Sequence, residues 1–174
     1  MCLSGYSNTL FDGYSCIGSK NKMQGLSSHT SRDLGNSSRL LIVDDDAYLR
    51  TSLRQQFLAE GFQNIFDVGS VTGLDAALKE SKPDLILLDI EMPDGNGVEI
   101  CKRLRSDGFT KPIVMLTAKN AESDIIKGLE AGANDYVTKP LRMGELLTRI
   151  RTQLWQFKAS DDAQFEMADL NFVP

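Results

Sequence analysis

From Arg39 onward the chain alternates short apolar runs with amphipathic stretches, and this rhythm repeats five times. The runs are short enough to be strands, and the stretches between them carry apolar residues at helical spacing. Leu49, Leu53 and Phe57, for example, recur every four residues and mark one face of a helix. Repeated strand–helix units of this kind predict an α/β domain built around a parallel sheet.

The five apolar runs give the predicted strands, which are Leu40–Val43, Asn64–Val68, Leu85–Leu88, Ile113–Leu116 and Tyr136–Thr138. The third run is apolar on both faces, which is typical of a strand covered by helices on both sides, so we place it at the centre of the sheet. The helix after the fourth strand is predicted to bury Ile125, Ile126 and Leu129, and the last helix Leu147, Ile150, Leu154 and Phe157.

The two ends of the chain differ in composition from the repeating region. Ser, Gly, Asn and Thr make up 19 of residues 1–38, which predicts a disordered leader. Residues 39–157 form the predicted domain. In residues 158–174 a polar linker, Lys158–Asp162, precedes a weakly alternating segment, Phe165–Phe172, which we interpret as the first strand of a further domain that this chain lacks.

Charge and hydropathy exclude several classes of protein. The chain has 24 acidic and 19 basic residues and a net charge of −5, which argues against binding nucleic acid or anionic membranes by bulk charge. Its longest strongly apolar run, Leu85–Leu88, is far shorter than the roughly 20 residues that span a bilayer. Three scattered cysteines and a start without a signal-like segment predict a cytoplasmic protein.

Polar residues with related chemistry follow the predicted strands. Asp44-Asp45-Asp46 follows the first strand and Asp89 the third. Ligands of open parallel sheets bind beyond the carboxyl ends of the strands, so these carboxylates are expected to meet there. Grouped carboxylates repel each other unless a cation lies among them, and oxygen ligands of this kind suit Mg²⁺.

Thr117 follows the fourth predicted strand and Lys139 the fifth, and they supply the hydroxyl donor and positive charge that a phosphoryl group requires. Asp89, at the end of the central strand, is the best-placed nucleophile for forming an aspartyl phosphate. The sequence has neither of the glycine-rich motifs that hold nucleotide phosphates, G-x-x-x-x-G-K-[ST] and G-x-G-x-x-G.

Several motifs stand at these strand ends in a fixed order. They are the Asp44-Asp45 pair, Asp89 followed by Met92-Pro93-x-Gly95-x-Gly97, the Thr117-Ala118 pair, and Tyr136 three residues before Lys139-Pro140. With them, the chain from Arg39 to Phe157 resembles the receiver domain of two-component response regulators. This resemblance implies the CheY-like fold, a doubly wound sheet of five parallel strands in the order 2-1-3-4-5 with five flanking helices.

The resemblance also implies a role for each acid. Asp45 becomes a direct Mg²⁺ ligand and Asp44 acts on the metal largely through water. Asp89 becomes both the phosphoacceptor and a metal ligand, and the backbone carbonyl of Glu91 becomes a further ligand. Asp46 is expected to cap the first helix instead. Many relatives have Met or Asn where this chain has Glu91, so that side chain could tune metal affinity or phosphate lifetime.

Three further residues receive roles from the resemblance. Thr117 and Lys139 would bind phosphoryl oxygens, and the Lys139–Pro140 peptide bond is expected to be cis. Thr117 and Tyr136 would form the switch that repacks the fourth helix and the fifth strand after phosphorylation. Such a domain is not an enzyme in the ordinary sense, because it catalyses only its own phosphorylation and slow dephosphorylation.

The region from Gly128 to Pro140 and the segment Glu145–Arg151 are similar to the OmpR/PhoB subgroup of response regulators. That similarity implies a histidine kinase or phosphotransfer protein as partner and a homodimer on phosphorylation. It also implies control of transcription through a winged-helix DNA-binding domain that is missing here. The candidates for the dimer surface are Lys127, Glu130, Asp135, Arg149 and Arg151, which carry both signs of charge as an isologous contact requires.

Two alternatives stay open at this point. A receiver-like domain can serve as an interaction module that does not depend on phosphorylation, although every chemical residue is retained here. Asp89-x-Glu91 also resembles the paired acids of haloacid-dehalogenase-type phosphatases, but those place the nucleophile on the first strand and a second Asp two residues later.

Overall fold

A five-stranded parallel sheet forms the centre of the molecule. The computed structural model describes residues 37–118 and 130–170, with side chains described up to residue 161. The strands are β1 (Arg39–Val43), β2 (Asn64–Val68), β3 (Leu85–Asp89), β4 (Ile113–Ala118) and β5 (Asp135–Lys139). Their order across the sheet is β2-β1-β3-β4-β5, and every neighbouring pair is parallel. The α/β class, the parallel sheet and the 2-1-3-4-5 order are therefore confirmed.

The helices in the described ranges are α1 (Ala47–Ala59), α2 (Val71–Ser81), α3 (Gly97–Ser106) and a C-terminal helix (Met143–Leu170). Polar side chains cap the starts of the first three; Asp46 Oδ1, for example, accepts hydrogen bonds from the backbone N–H groups of Tyr48 and Leu49. The predicted capping role of Asp46 is thus confirmed. The helix predicted around Ile125, Ile126 and Leu129 falls outside the described residues.

Alternation along the strands supplies two separate hydrophobic cores, one on each face of the sheet. Leu40 and Ile42 of β1 pack into a cluster with α1 and the C-terminal helix, whereas Leu41 and Val43 pack into a cluster with α2 and α3. All five residues of β3 are buried, as expected for a central strand covered on both faces. The strand ends are therefore held rigidly from both sides.

The C-terminal helix corrects the expected organisation of residues 158–174. It runs without interruption from Met143 to Leu170, so the predicted polar linker is helical, and so is the predicted strand as far as Leu170. No Gly or Pro occurs between Gly144 and Pro174, so nothing in the sequence stops the helix. Lys111 steadies its middle, with the ammonium 4.1 Å from the centre of the Phe157 ring and 3.6 Å from Asp161 Oδ2.

The domain begins at residue 38 or before, because Ser38 is buried and the backbone N–H of Arg39 donates to Asp84 Oδ2 at 2.9 Å. Residues 1–36 lie outside the described ranges, so the predicted leader stays a prediction. Among the helices of residues 37–118 and 130–170, none combines the length and the apolar character needed to cross a bilayer.

We expect Leu87→Ala to lower the free energy of unfolding by about 2–5 kcal/mol, because Leu87 is fully buried in β3 and its loss leaves a cavity. Leu58→Ala is the matched control, since Leu58 of α1 is 50% exposed and its removal should change the same quantity by no more than about 0.5 kcal/mol. Urea unfolding followed by circular dichroism measures both. Equal losses in the two variants would contradict this account of the core.

Candidate functional site

The carboxyl edge of the sheet brings four of the predicted site residues together. Asp44 directly follows β1, Asp89 ends β3, Thr117 is the second-last residue of β4 and Lys139 ends β5. The side chains of Asp44, Asp89 and Thr117 are buried, which is unusual for carboxylates unless they are paired. This edge is where ligands of open parallel sheets bind.

The Lys139 ammonium joins the two buried carboxylates. Its Nζ donates to Asp44 Oδ2 at 2.9 Å and to Asp89 Oδ2 at 2.8 Å. The other oxygen of each carboxylate accepts a backbone N–H: Asp44 Oδ1 from Asp46 at 2.9 Å, and Asp89 Oδ1 from Glu91 at a longer 3.4 Å. Both carboxylates are therefore oriented, with Asp89 held more loosely on its outer oxygen.

Asp45 completes an acidic cluster with Asp44 and Asp89. One carboxylate oxygen from each of the three lies within 4.8 Å of the others, and Asp45 is exposed while the other two are buried. Three carboxylates against the single Lys139 ammonium leave two negative charges when all four groups are ionised. An oxygen-rich cluster with that excess charge fits a divalent hard cation, and Mg²⁺ is the one typically held by a few carboxylates and water.

Burial and charge shift two pKa values at this site. Burial raises the pKa of the Asp89 carboxyl above its ordinary value, although the hydrogen bond and the charge of Lys139 oppose the shift. Burial alone would lower the pKa of Lys139, but its hydrogen bonds with Asp89 and Asp44 outweigh that effect and the pKa is raised. Lys139 therefore stays protonated at neutral pH, and a further positive charge near Asp89 would favour its ionised form.

Thr117 and Tyr136 lie on neighbouring strands behind the acidic cluster. Thr117 Oγ1 donates a long 3.4 Å hydrogen bond to the carbonyl of Ala118, which a stronger acceptor could replace. Tyr136 of β5 is half-buried against the cluster that includes α2 and α3, and the Arg149 guanidinium carbon lies 6.0 Å from the centre of its ring. The Lys139–Pro140 peptide bond is cis, as predicted.

The loop after β3 folds back on the backbone of Asp89. Glu91 and Met92 pair with Gly95 and Asn96 in a two-stranded antiparallel ribbon, and the Glu91 side chain is exposed. Gly97 then starts α3 so close to β3 that a Cβ there would collide with the Asp89 carbonyl oxygen and come within 2.8 Å of Ile90 Cα. The turn therefore requires glycine at position 97.

The structure separates the candidate dimer residues. Arg149 pairs with Asp135 Oδ1 at 2.8 Å, on the β5 side of the C-terminal helix, and Glu130 is exposed. Arg151 instead pairs with Glu60 Oε2 at 3.0 Å, beside the end of α1. The two arginines contact different elements, and Lys127 falls outside the described ranges.

Arg50, which was not among the predicted site residues, also contacts the site. Its Nη1 donates to the backbone carbonyl of Asp44 at 2.6 Å. Nothing in the sequence separates Arg50 from Arg54, the next arginine along the same helix, because a contact to a backbone carbonyl leaves no mark on the residue types.

Residues 40–151 match the family model of the response regulator receiver domain. The chain is 42% identical over 132 residues to the DNA-binding response regulator MtrA of Mycobacterium tuberculosis, an alignment that covers 76% of this chain and 56% of that protein. It is 41% identical over 139 residues to the response regulator MprA of Mycobacterium avium, covering 78% of this chain and 60% of that protein. The chain thus spans little more than half the length of these relatives.

A solved structure has the same arrangement of elements. The BeF3-activated N-terminal receiver domain of Klebsiella pneumoniae RstA matches with a TM-score of 0.61 and 32% sequence identity, covering 67% of this chain and 97% of that one.

We expect Gly97→Ala to lower the free energy of unfolding by about 1–3 kcal/mol, because the added methyl group must displace the backbone of β3. Gly144→Ala is the matched control: Gly144 lies in the C-terminal helix with open space around a Cβ, so the same change should stabilise the helix by up to about 1 kcal/mol. Chemical unfolding of both variants measures the difference. A Gly97→Ala protein as stable as the parent would rule out the close packing described here.

Proposed function

This chain belongs to the response regulator receiver domain family, and we propose that it accepts a phosphoryl group on Asp89. The donor is a phosphohistidine on a histidine kinase or phosphotransfer protein. A carboxylate oxygen of Asp89 attacks the phosphorus, the P–N bond breaks, and the departing imidazole takes up a proton. Water later hydrolyses the acyl phosphate slowly, so the domain carries a signal of limited lifetime and turns over no free substrate.

The observation that carries this proposal is the Lys139 ammonium, held between the buried Asp44 and Asp89 carboxylates at 2.9 and 2.8 Å. Phosphorylation converts the Asp89 carboxylate into an ester-like acyl group and places new anionic oxygens beside it. Lys139 can then exchange its bond with Asp89 Oδ2 for one with a phosphoryl oxygen, and the Thr117 hydroxyl can donate to another. These two side chains thus stabilise the phosphorylated form without large rearrangement.

Asp44, Asp45, Asp89 and the backbone carbonyl of Glu91 are the proposed Mg²⁺ site. Its support is the chemistry of the donors: three carboxylates within 4.8 Å and more negative charge than Lys139 can balance. When bound, Mg²⁺ neutralises charge on the carboxylates and on the incoming phosphoryl oxygens. The chain's own part is to hold Asp44 and Asp89 in fixed orientations and to leave the exposed Asp45 facing solvent.

We also propose that Thr117 and Tyr136 carry the signal to a homodimer surface. Tyr136 is linked to that surface because its ring lies under the Arg149 guanidinium, and Arg149 is paired with Asp135. A turn of the ring would change the surroundings of both charges. The proposed surface contains Glu130, Asp135, Arg149 and, outside the described residues, Lys127; Arg151 is left out because Glu60 of α1 already binds it.

In the whole protein we propose that this switch controls transcription from within the cytoplasm. The supporting facts are the name of the MtrA relative, a DNA-binding response regulator, and the part of its length that this chain does not cover. The receiver itself has a net charge of −5, so DNA binding would belong to a separate C-terminal domain. The helix that ends at Leu170 would then lead towards that domain.

Incubation with acetyl phosphate and Mg²⁺ should add one phosphoryl group to the intact protein, detected by mass spectrometry. Asp89→Asn should abolish the addition, because an amide cannot form the acyl phosphate, and chelation of the metal with EDTA should suppress it. A protein that remains folded and Mg²⁺-bound but takes up no phosphoryl group would favour the phosphorylation-independent interaction module instead. Addition that persists in Asp89→Asn would place the acceptor elsewhere.

Phosphorylation should raise the dimer fraction, and Arg149→Ala should weaken that dimer about tenfold or more, since it removes one member of a charge pair at the contact. Arg151→Ala is the matched control and should dimerise like the parent. Sedimentation velocity on samples of equal phosphorylation measures both. A dimer unaffected by Arg149→Ala, or weakened equally by the two variants, would exclude the proposed surface.

A further inference from the structure

We propose that Arg50 is a positioning residue that holds the Asp44-Asp45 backbone in the geometry needed to bind the metal; this inference rests on the proposed function. The guanidinium connects three parts of the fold. It extends from α1, donates through Nη1 to the Asp44 carbonyl at 2.6 Å, and donates through Nε to Asp67 Oδ2 of β2 at 3.1 Å. Its side chain is only 17% exposed.

The surroundings of Arg50 give it one defined position. Gly69 follows β2 directly beneath the guanidinium, and a Cβ at Gly69 would come within 2.8 Å of Arg50 Nη1. The absence of a side chain at position 69 therefore leaves room for the guanidinium. Asp67 fixes the far end of the guanidinium with a charge-assisted hydrogen bond. Arg50 is thus held from two sides while it holds the Asp44 carbonyl.

The Asp44 carbonyl belongs to the peptide unit that joins Asp44 to Asp45. The Asp44 side chain is already fixed by Lys139 and by the backbone N–H of Asp46. The exposed Asp45 side chain has no such anchors among the described hydrogen bonds, so its direction depends on how that peptide unit is turned. By fixing the carbonyl, Arg50 sets the direction in which Asp45 presents its carboxylate to the cluster.

Position and charge predict opposite signs for the loss of Arg50. If the guanidinium acted only as a nearby positive charge, its removal would strengthen cation binding at the acidic cluster. If it positions Asp45, its removal weakens cation binding, by about tenfold on the scale found for residues that orient metal ligands. The direction of the change therefore separates the two roles.

Arg54 provides the matched control. It lies one turn further along α1 and pairs with the same Asp67 carboxylate, at 3.2 Å, but it has no contact with Asp44 among the described hydrogen bonds and is 49% exposed. Arg50→Met and Arg54→Met remove the same charge and the same kind of ion pair, and only the first removes the hydrogen bond to the carbonyl.

The test is the dissociation constant of Mg²⁺, measured by isothermal titration calorimetry without any phosphodonor, on proteins whose fold is checked by circular dichroism. Arg50→Met should weaken Mg²⁺ binding about tenfold, and Arg54→Met should leave it within about twofold. Unchanged or tighter binding by Arg50→Met, or equal weakening in both variants, would overturn the proposal.

Arg50→Lys covers the case in which Arg50→Met does not fold. A lysine keeps the charge but lacks the planar fork that reaches two acceptors at once, so Mg²⁺ binding should again weaken. Binding equal to the parent's in Arg50→Lys would show that charge suffices and would overturn the positioning role. A parent protein that binds no Mg²⁺ would defeat the proposed function itself, which a failure of the Arg50 variants alone would not.

Discussion

One ammonium group makes the carboxyl edge of this sheet possible. Asp44 and Asp89 are both buried, and two buried carboxylates side by side would be strongly unfavourable without a partner. Lys139 bonds to both of them, although β5 is separated from β3 by β4. Its side chain therefore spans the end of β4, so that the ends of the first, third and fifth strands share one electrostatic contact.

The same contact relates the fold to its chemistry. Lys139 balances one of the three negative charges of the acidic cluster, so the site has charge complementarity left for a cation. Its second bond goes to the residue proposed to be phosphorylated, so a change of charge at Asp89 is felt directly at the end of β5. Tyr136 and Asp135 lie on that strand, and Arg149 contacts both. The path from acceptor to surface is short because it follows a single strand.

Much of this arrangement was readable from the residues. Strand alternation such as that of Leu40 to Val43 directly reflects two cores, and parallel strands necessarily bring their ends to one edge, so the meeting of Asp44, Asp89, Thr117 and Lys139 was predictable. The motif order also identified the family correctly.

The remaining features depend on geometry or context that residue types do not encode. Arg50 and Arg54 are the same residue on the same helix, and only the path of the backbone decides which one reaches the Asp44 carbonyl. Arg149 and Arg151 were likewise grouped by charge, while helical periodicity turns them towards different neighbours. The segment after Lys158 was misread because its weak alternation was given more weight than the absence of a helix breaker.

The C-terminal helix has a mechanical consequence. Its 28 residues form a rod about 42 Å long, with no proline or internal glycine beyond Gly144 at which it could flex. It starts just after the Lys139–Pro140 turn, and Lys111 grips it at Phe157 and Asp161. A stiff rod held at such a point works as a lever, so a small tilt imposed at its start reappears at its far end in the opposite direction. Whatever follows Leu170 would receive a rotation, with no slack in between.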